Sequence, residues 1–199
     1  MQGDGQQHRL TTRPVAEAKL QTLLTRTRTR IKVFVAGPYL NPSWAESDIA
    51  SKTPGTRLRY HLRRYVEDCG FDVILGEHRG VAEITTDTVP TAGNIAASEL
   101  ALVNDAHAVI IIPDSPGSFC EAGAWSMMEH VCRKSLVLPN GIYESQAGYL
   151  QDALLPQLEG DYARVRWVDY EDRDSVIEIV DQFLGEMVDR TVIRSLKSG

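Results

Sequence analysis

The segment AVIIIP, Ala108 to Pro113, decides the fold. An unbroken apolar, mostly β-branched run that stops at proline reads as a strand covered on both faces, because a strand with one wet face alternates apolar and polar positions. Working outward, the same signature appears before it at Ile31 to Ala36, which stops at Gly37-Pro38, and at Phe71 to Leu75. Ser135 to Leu138 and Arg164 to Val168 after it also read as strands. Helical patterns fill the intervals. Thr53-Pro54 offers an N-cap and a first-turn proline to a helix that carries Leu58, Leu62, Tyr65 and Val66 inward and ends at Gly70. Thr91 to Ala106, Phe119 to Val131, Gly148 to Leu158 and Ser175 to Arg194 also read as helices. Asn41 to Lys52 reads as loop, Asp114 to Ser118 as a turn, and Gly76 to Pro90 as a polar loop long enough to carry function. Alternating strands and helices predict a single-domain, three-layer α/β fold with a mostly parallel five-stranded sheet, flavodoxin/Rossmann-like.

Composition agrees with one soluble globular domain: 199 residues, 43% apolar, 24% charged, net charge −6. The charge is uneven. Residues 1–32 hold seven basic side chains against Asp4 and Glu17, which leaves −11 for the remainder. We therefore divide the chain into a basic N-terminal tail and helix, residues 1–30, with Pro14 in its first turn, and an α/β domain, residues 31–199. Met1 to Thr12 reads as a disordered tail. The acidic body disfavours non-specific nucleic-acid binding, whereas TRTRTR, Thr25 to Arg30, would align three guanidinium groups if extended and so offer a contact to a regulatory protein or nucleic acid. No apolar stretch has membrane-spanning length and the N-terminus lacks a secretory core, so no membrane contact and a cytoplasmic location are expected. Cys69, Cys120 and Cys132 form no CxxC pair and read as reduced thiols; His61, His107 and His130 share no metal-ligand spacing, so neither metal nor cofactor is expected. GxGxxG, GxxxxGK[ST] and GxSxG motifs are absent, which removes the main support for Rossmann redox chemistry, P-loop hydrolysis and serine hydrolysis.

In open α/β sheets ligands lie beyond the carboxyl ends of the strands, here after Ala36, Leu75, Pro113 and Leu138. The most informative of these loops is DSPGSFCEAG, Asp114 to Gly123. Gly117 suits a tight turn and close ligand approach, Ser115 and Ser118 add hydroxyls, and the start of the following helix favours an anion. Glu121 is expected in the first turn of that helix. Two readings of it stand side by side: Ser118-x-x-Glu121 is a capping box, in which the carboxylate folds back on the Ser118 amide, or the carboxylate projects into the cleft. Neighbouring loops favour the cleft. Glu99 lies on the preceding helix, Asp114 at the strand end, and Ala36-Gly37-Pro38-Tyr39 delivers an aromatic ring to the same edge. Glu77, with His78 and Arg79 after the second strand, suits a ribose hydroxyl and a phosphate.

These residues resemble the nucleoside 2-deoxyribosyltransferase-like superfamily over about residues 31–140, on VFVAGPY (Val33 to Tyr39), Glu99 followed by LALVNDAHAVIII, and DSPGSFCEAG followed by a short helix and SLVLP. The resemblance implies that Glu121 is the nucleophile that attacks the anomeric carbon, that Glu99, where aspartate is usual, orients sugar or nucleophile, and that Asp114 is the acid at the strand end, a looser match because of the inserted Ser-Pro. The DSPGS wording is more similar to shorter N-glycosidase-type effectors of bacterial antiphage systems, some of them retron-associated, and this implies hydrolysis or transfer at the N-glycosidic bond of a nucleoside, nucleotide or NAD, and a homo-oligomer. The chemistry fits: breaking C1′–N builds oxocarbenium character that a carboxylate stabilises or captures, and a pyridinium leaving group such as nicotinamide needs no proton. The alternatives are a nucleotide-sensing module without turnover and a toxin-like antiphage effector silent until it meets its regulator.

Overall fold

The computed structural model describes residues 12–77 and 95–198. Its strands are β1 (Lys32–Ala36), β2 (Asp72–Ile74), β3 (Ala108–Ile111), β4 (Ser135–Val137) and β5 (Arg164–Val165). They pair in parallel throughout, in the order β2-β1-β3-β4-β5, which is the order of flavodoxin-like doubly wound sheets. The sheet expected from AVIIIP is present, and it is wholly rather than mostly parallel.

The apolar runs are long because each strand is buried twice. Val33, Val35, Ala108, Ile110, Leu136 and Leu138 point to one face, where they meet α3 (Pro54–Asp68) through Leu58, Leu62 and Val66 and α8 (Arg173–Ser198) through Val176, Val180, Phe183 and Leu184. Phe34, Ala36, Val109, Ile111, Val137 and Val165 point to the other face. There they meet α4 (Ile95–Asp105), α5 (Pro116–Trp125), α6 (Glu129–Cys132) and α7 (Leu155–Gly160) through Val103, Ala122, Trp125, Val131 and Leu158. Fully buried side chains such as Ile110, Ile111 and Leu62 each contribute about 1.5–3 kcal/mol by transfer out of water. α1 (Thr12–Arg28) packs against α8, with Leu24 on the core and Leu23 exposed.

Several boundaries differ from the sequence expectation, each for a local reason. Asn41 to Lys52 contains a short helix, α2 (Glu46–Ile49), whose Asp48 carboxylate accepts from the Ala45 amide at 2.9 Å. The helix placed at Phe119 to Val131 starts earlier, at Pro116, and breaks after Trp125 before α6. Gly148 to Leu158 begins as a π-helical turn, Leu150–Leu154, ahead of α7. The last strand is two residues long, with Val168 only bridging Asn140. TRTRTR is not extended: Thr25 to Arg28 is the last turn of α1 and Thr29-Arg30 a turn, so its guanidinium groups are not aligned along a strand. Of the tail read over Met1 to Thr12, Thr12 is the first residue of α1, while residues 1–11, and His78 and Arg79 with most of the long polar loop, lie outside the described residues.

Chain direction reverses between β1 and β3: β1 leads outward to β2, and β3 leads the other way to β4 and β5. The crevice of such a sheet opens beyond the carboxyl ends of those two strands. Ala36 pairs with Ile111 at that edge, and the Ile112 amide donates to the Ala36 carbonyl at 3.0 Å, so the loops after both strands leave from one point.

Candidate active site

The site is organised by a residue that sequence reasoning missed. Arg59 lies on the inward stripe of α3, between Leu58 and Leu62, and is only 2% exposed. A buried guanidinium must find acceptors for its five N–H groups. Nε and Nη2 donate to the Val35 carbonyl at 3.1 and 2.8 Å, and Nη1 donates to the carbonyls of Pro38 (2.8 Å) and Gly37 (3.2 Å). The remaining capacity goes to Glu77, which takes Nη2 on Oε2 at 2.9 Å and Nη1 on Oε1. Glu77 Oε1 also accepts from the Leu40 amide at 3.1 Å. Arg59 therefore ties the loop after β1 to the loop after β2. Gly37 permits this closeness: a Cβ there would sit 3.0 Å from Arg59 Cδ and 3.2 Å from Ile112 Cβ.

Around this pair stand two further carboxylates. Glu99, from α4, rests against the β2 loop; a Cβ on Gly76 would come within 2.6 Å of its Oε1, so only glycine fits there without displacing it. Glu121 comes from the second turn of α5 and is half-buried. One guanidinium thus faces three carboxylates. Burial first, then the Glu99 charge and to a smaller degree Glu77, push the Glu121 carboxyl up to about 7, against the opposing pull of Arg59. Glu99 is raised too, by burial and then by Glu77, with Arg59 again opposing. Glu121 therefore exchanges its proton near neutrality while still reaching solvent, the behaviour expected of a reacting group rather than of a structural ion pair.

The structure decides between the two readings of Glu121. The N-cap of α5 is Ser115, with Pro116 in the first helical position: Ser115 Oγ accepts from the Ser118 amide at 3.2 Å, and Ser118 Oγ accepts from the Ser115 amide at 2.9 Å. The capping box is Ser115 to Ser118, three residues earlier than Ser118-x-x-Glu121, and no acidic residue lies in the first turn of α5. Glu121 is not a cap. Gly117 correspondingly is not a turn residue but the second residue of the helix, where a Cβ would make only an ordinary contact with Ser115 Oγ at 4.0 Å.

The other expected site residues fall in two groups. Ser118 is buried, and its hydroxyl also accepts from the Asp114 amide at 3.1 Å and donates to the Ser115 carbonyl at 3.0 Å, so it is spent on holding the loop. Ser115 is half-buried at the helix start. Tyr39 is 63% exposed beside Arg59's carbonyl partners, with its ring edge-on to Trp44 at 5.9 Å, and forms a free-standing aromatic wall. Asp114 is held apart from the carboxylate pair: it accepts from the Gly55 amide at the start of α3 and lies beside the buried Tyr170, whose hydroxyl donates to the Leu138 carbonyl at 2.8 Å. Burial raises Asp114 and the Gly55 amide counters it. Gly55 is obligatory in that contact, since a Cβ would sit 2.2 Å from Asp114 Oδ2. Among the described residues no cluster of His, Cys, Asp and Glu has the geometry to hold a metal ion, and no helix is long and apolar enough to cross a membrane.

Residues 55–197 match the family of the STM3845 retron effector protein. The chain belongs to this retron effector family. The match spans Arg59, Glu77, Glu99, Asp114, the Ser115 cap and Glu121, so the whole carboxylate cluster of this retron effector is inside it, while Gly37, Tyr39 and α1 precede it. It supports the retron-associated part of the resemblance drawn from DSPGS; the family description says nothing of deoxyribosyl transfer. No curated protein matches the chain in sequence.

Proposed function

We propose that this retron effector is an antiphage enzyme that cleaves, or transfers at, the N-glycosidic bond of a nucleoside, nucleotide or NAD, with Glu121 as nucleophile. The observation that carries the proposal is a half-buried carboxylate, released from any capping role, next to a second raised carboxylate at the switch point of the sheet. A Glu121 oxygen adds to C1′ as the C1′–N bond breaks, and the bonding pair leaves with the base. A purine or pyrimidine takes up a proton, for which Glu99 is the coupled source; a nicotinamide leaves neutral and takes none. In the second step water adds to C1′ and Glu121 departs as carboxylate, water's proton going to Glu99 where Glu99 protonated the base and to solvent where nicotinamide left; a second base in place of water gives transfer instead. Tyr39 offers a surface for a ring, and the Ser115 hydroxyl with the Gly117 amide at the start of α5 offers donors to a phosphate or ribose.

Membership of a retron effector family supports an antiphage role in partnership with other components of a retron. In this reading the basic N-terminal segment is the contact to a regulator, and the chain assembles as a homo-oligomer. Incubation with NAD, deoxynucleosides and nucleotides, alone and with the retron components present, followed by chromatography of free base, tests the proposal. Release of base by the wild type and not by Glu121→Gln supports it. Intact ligand that is bound saturably by both proteins makes the chain a binding module and overturns it.

A further inference from the structure

α3 is fastened across the switch point from both central strands. From the β1 side Arg59 holds the carbonyls of Val35, Gly37 and Pro38, and all of its N–H groups go to these and to Glu77. From the β3 side the fastening is Asp114. Its amide donates to Ser118 Oγ at 3.1 Å, which ties it to the capping box of α5, and its carboxylate accepts from the amide of Gly55, the second residue of α3. That amide is one the helix cannot serve itself, because the first N–H groups of a helix have no partner within it. Pro54 has none to offer, the Thr56 amide goes to Thr53 Oγ1 at 3.3 Å, and the Arg57 amide goes to the Thr53 carbonyl at 2.9 Å. Gly55 is left for Asp114, and a carboxylate at a helix start is favoured by the backbone dipoles as well.

The contact is close and leaves little play. A Cβ on Gly55 would lie 2.2 Å from Asp114 Oδ2 and 2.8 Å from Asp114 Cβ, so the root of the side chain, and not only its end, rests on the helix. Arg59 stands one turn beyond Gly55, on a helix whose Leu58, Leu62 and Val66 are buried, so a shift at the start of α3 is carried through close packing to the guanidinium. The contacts therefore run from the α5 cap through Asp114 and Gly55 to Arg59, and the second turn of α5 carries Glu121. The charge of Arg59 in turn pulls the Glu121 carboxyl down, against burial and against Glu99.

We propose that Asp114 is a positioning residue of the site and not its acid: held to the Gly55 amide, it sets where α3 places Arg59 relative to Glu121. This replaces the acid role that the deoxyribosyltransferase resemblance implies for Asp114. Its bearing on catalysis rests on the reading of Glu121 as nucleophile; the geometry does not. Carbon-13 NMR titration of the full chain tests it without substrate, with glutamate labelled at the side-chain carboxyl and the Glu121 signal assigned by its loss in Glu121→Gln. Asp114→Asn keeps an oxygen for the Gly55 amide, whereas Asp114→Ala keeps none. Both remove the same charge, so a difference between them reads position. Glu121 is expected to titrate about half a unit or more higher in Asp114→Ala than in Asp114→Asn, part of the about one to three units that a close cation is worth. Base release adds a second readout. With a purine or pyrimidine nucleoside, whose base takes up a proton, Asp114→Asn is expected to stay within about threefold of wild type, where loss of a general acid costs about a hundredfold or more. Asp114→Ala is expected to lose about tenfold in kcat with KM little changed. Asp114→Ser, whose hydroxyl falls short of the amide, takes its place should thermal unfolding show a disturbed fold. Glu121 titrating at the same pH in the Asn and Ala variants, or a loss of base release in Asp114→Asn as deep as that of a missing acid, would each overturn the proposal. A wild type that releases no base overturns the nucleophile reading alone, since the titration does not depend on it.

Discussion

The two edges of one sheet carry different electrostatics. Beyond the carboxyl ends of β1 and β3, one buried guanidinium serves three carboxylates, and two of those carboxyls are pushed up. At the amino ends of β4 and β5, Arg133 and Arg164 pair with Glu129 and Glu186 at the surface. The net charge of −6 conceals this division. The burial of the ion pairs differs as well. Arg59–Glu77 is enclosed and every donor is used, whereas Arg133–Glu129 is an exposed i,i+4 pair on a short helix. A buried pair fixes geometry because losing either member strands a charge without water; an exposed pair loses little when cut. One edge thus fixes its charged groups in place, and the other leaves them free to rearrange in solvent.

The largest effect that would sharpen this comparison is catalytic. Glu121→Gln is expected to reduce base release by about a thousandfold or more, as loss of a nucleophile does, while far-ultraviolet dichroism stays unchanged. Next comes the clamp. Glu77→Ala is expected to cost about 3–5 kcal/mol in urea unfolding because Arg59 is left buried without its anion, against about 0.3–0.5 kcal/mol for Arg133→Ala at the other edge. Equal costs would break the contrast between the edges. Gly76→Ala, whose Cβ would collide only with the Oε1 end of the Glu99 side chain, is expected to cost about 0.5–1.5 kcal/mol, that of a shifted rotamer, and to lower base release by displacing that carboxylate.

The smallest effects are in pH. Because Glu121 in the folded chain has its pKa raised from an ordinary 4.5 to about 7, the folded state holds a proton that the unfolded chain has lost. The sign follows: wild type loses stability relative to Glu121→Gln as pH rises from about 4.5 to about 7, and the gap stays constant above that. Base release, which needs the carboxylate, is expected to rise with pH through about 7. Glu99→Gln removes the neighbouring charge and is expected to move that limb to lower pH by less than about one unit. A limb that does not move would mean that the two carboxylates are not coupled.

Much of this was legible in the sequence where the signal is local. AVIIIP and Ile31 to Ala36 became the paired central strands because two-sided burial demands unbroken apolar runs. Thr53-Pro54 started α3 as a cap and first-turn proline should, with Thr53 Oγ1 accepting from the Thr56 amide at 3.3 Å. The same pair of residue types at Ser115-Pro116 was the missed signal: proline favours the first helical position, so the cap belonged at Ser115, and Glu121 belonged one turn further in. Arg59 was hidden among Arg57, Arg63 and Arg64 on one helix. Placing it on the stripe of Leu58, Leu62 and Val66 would have revealed a buried cation that needs a buried partner. The partner, Glu77, is on another loop, and that pairing depends on strand order, which periodicity does not contain. The partners of Asp114 have the same origin: a place beside a strand end in sequence does not decide that its carboxylate meets the Gly55 amide of α3 while Glu121 meets Glu99, Arg59 and Glu77.

The most direct test of the central claim is to mix the protein with a nucleoside, nucleotide or NAD from which it releases base, stop the reaction with acid, and map the peptides by mass spectrometry. The account predicts a sugar joined by an ester to the side chain of Glu121. A sugar joined to Glu99 instead, or base released by Glu121→Gln at the wild-type rate, would contradict it.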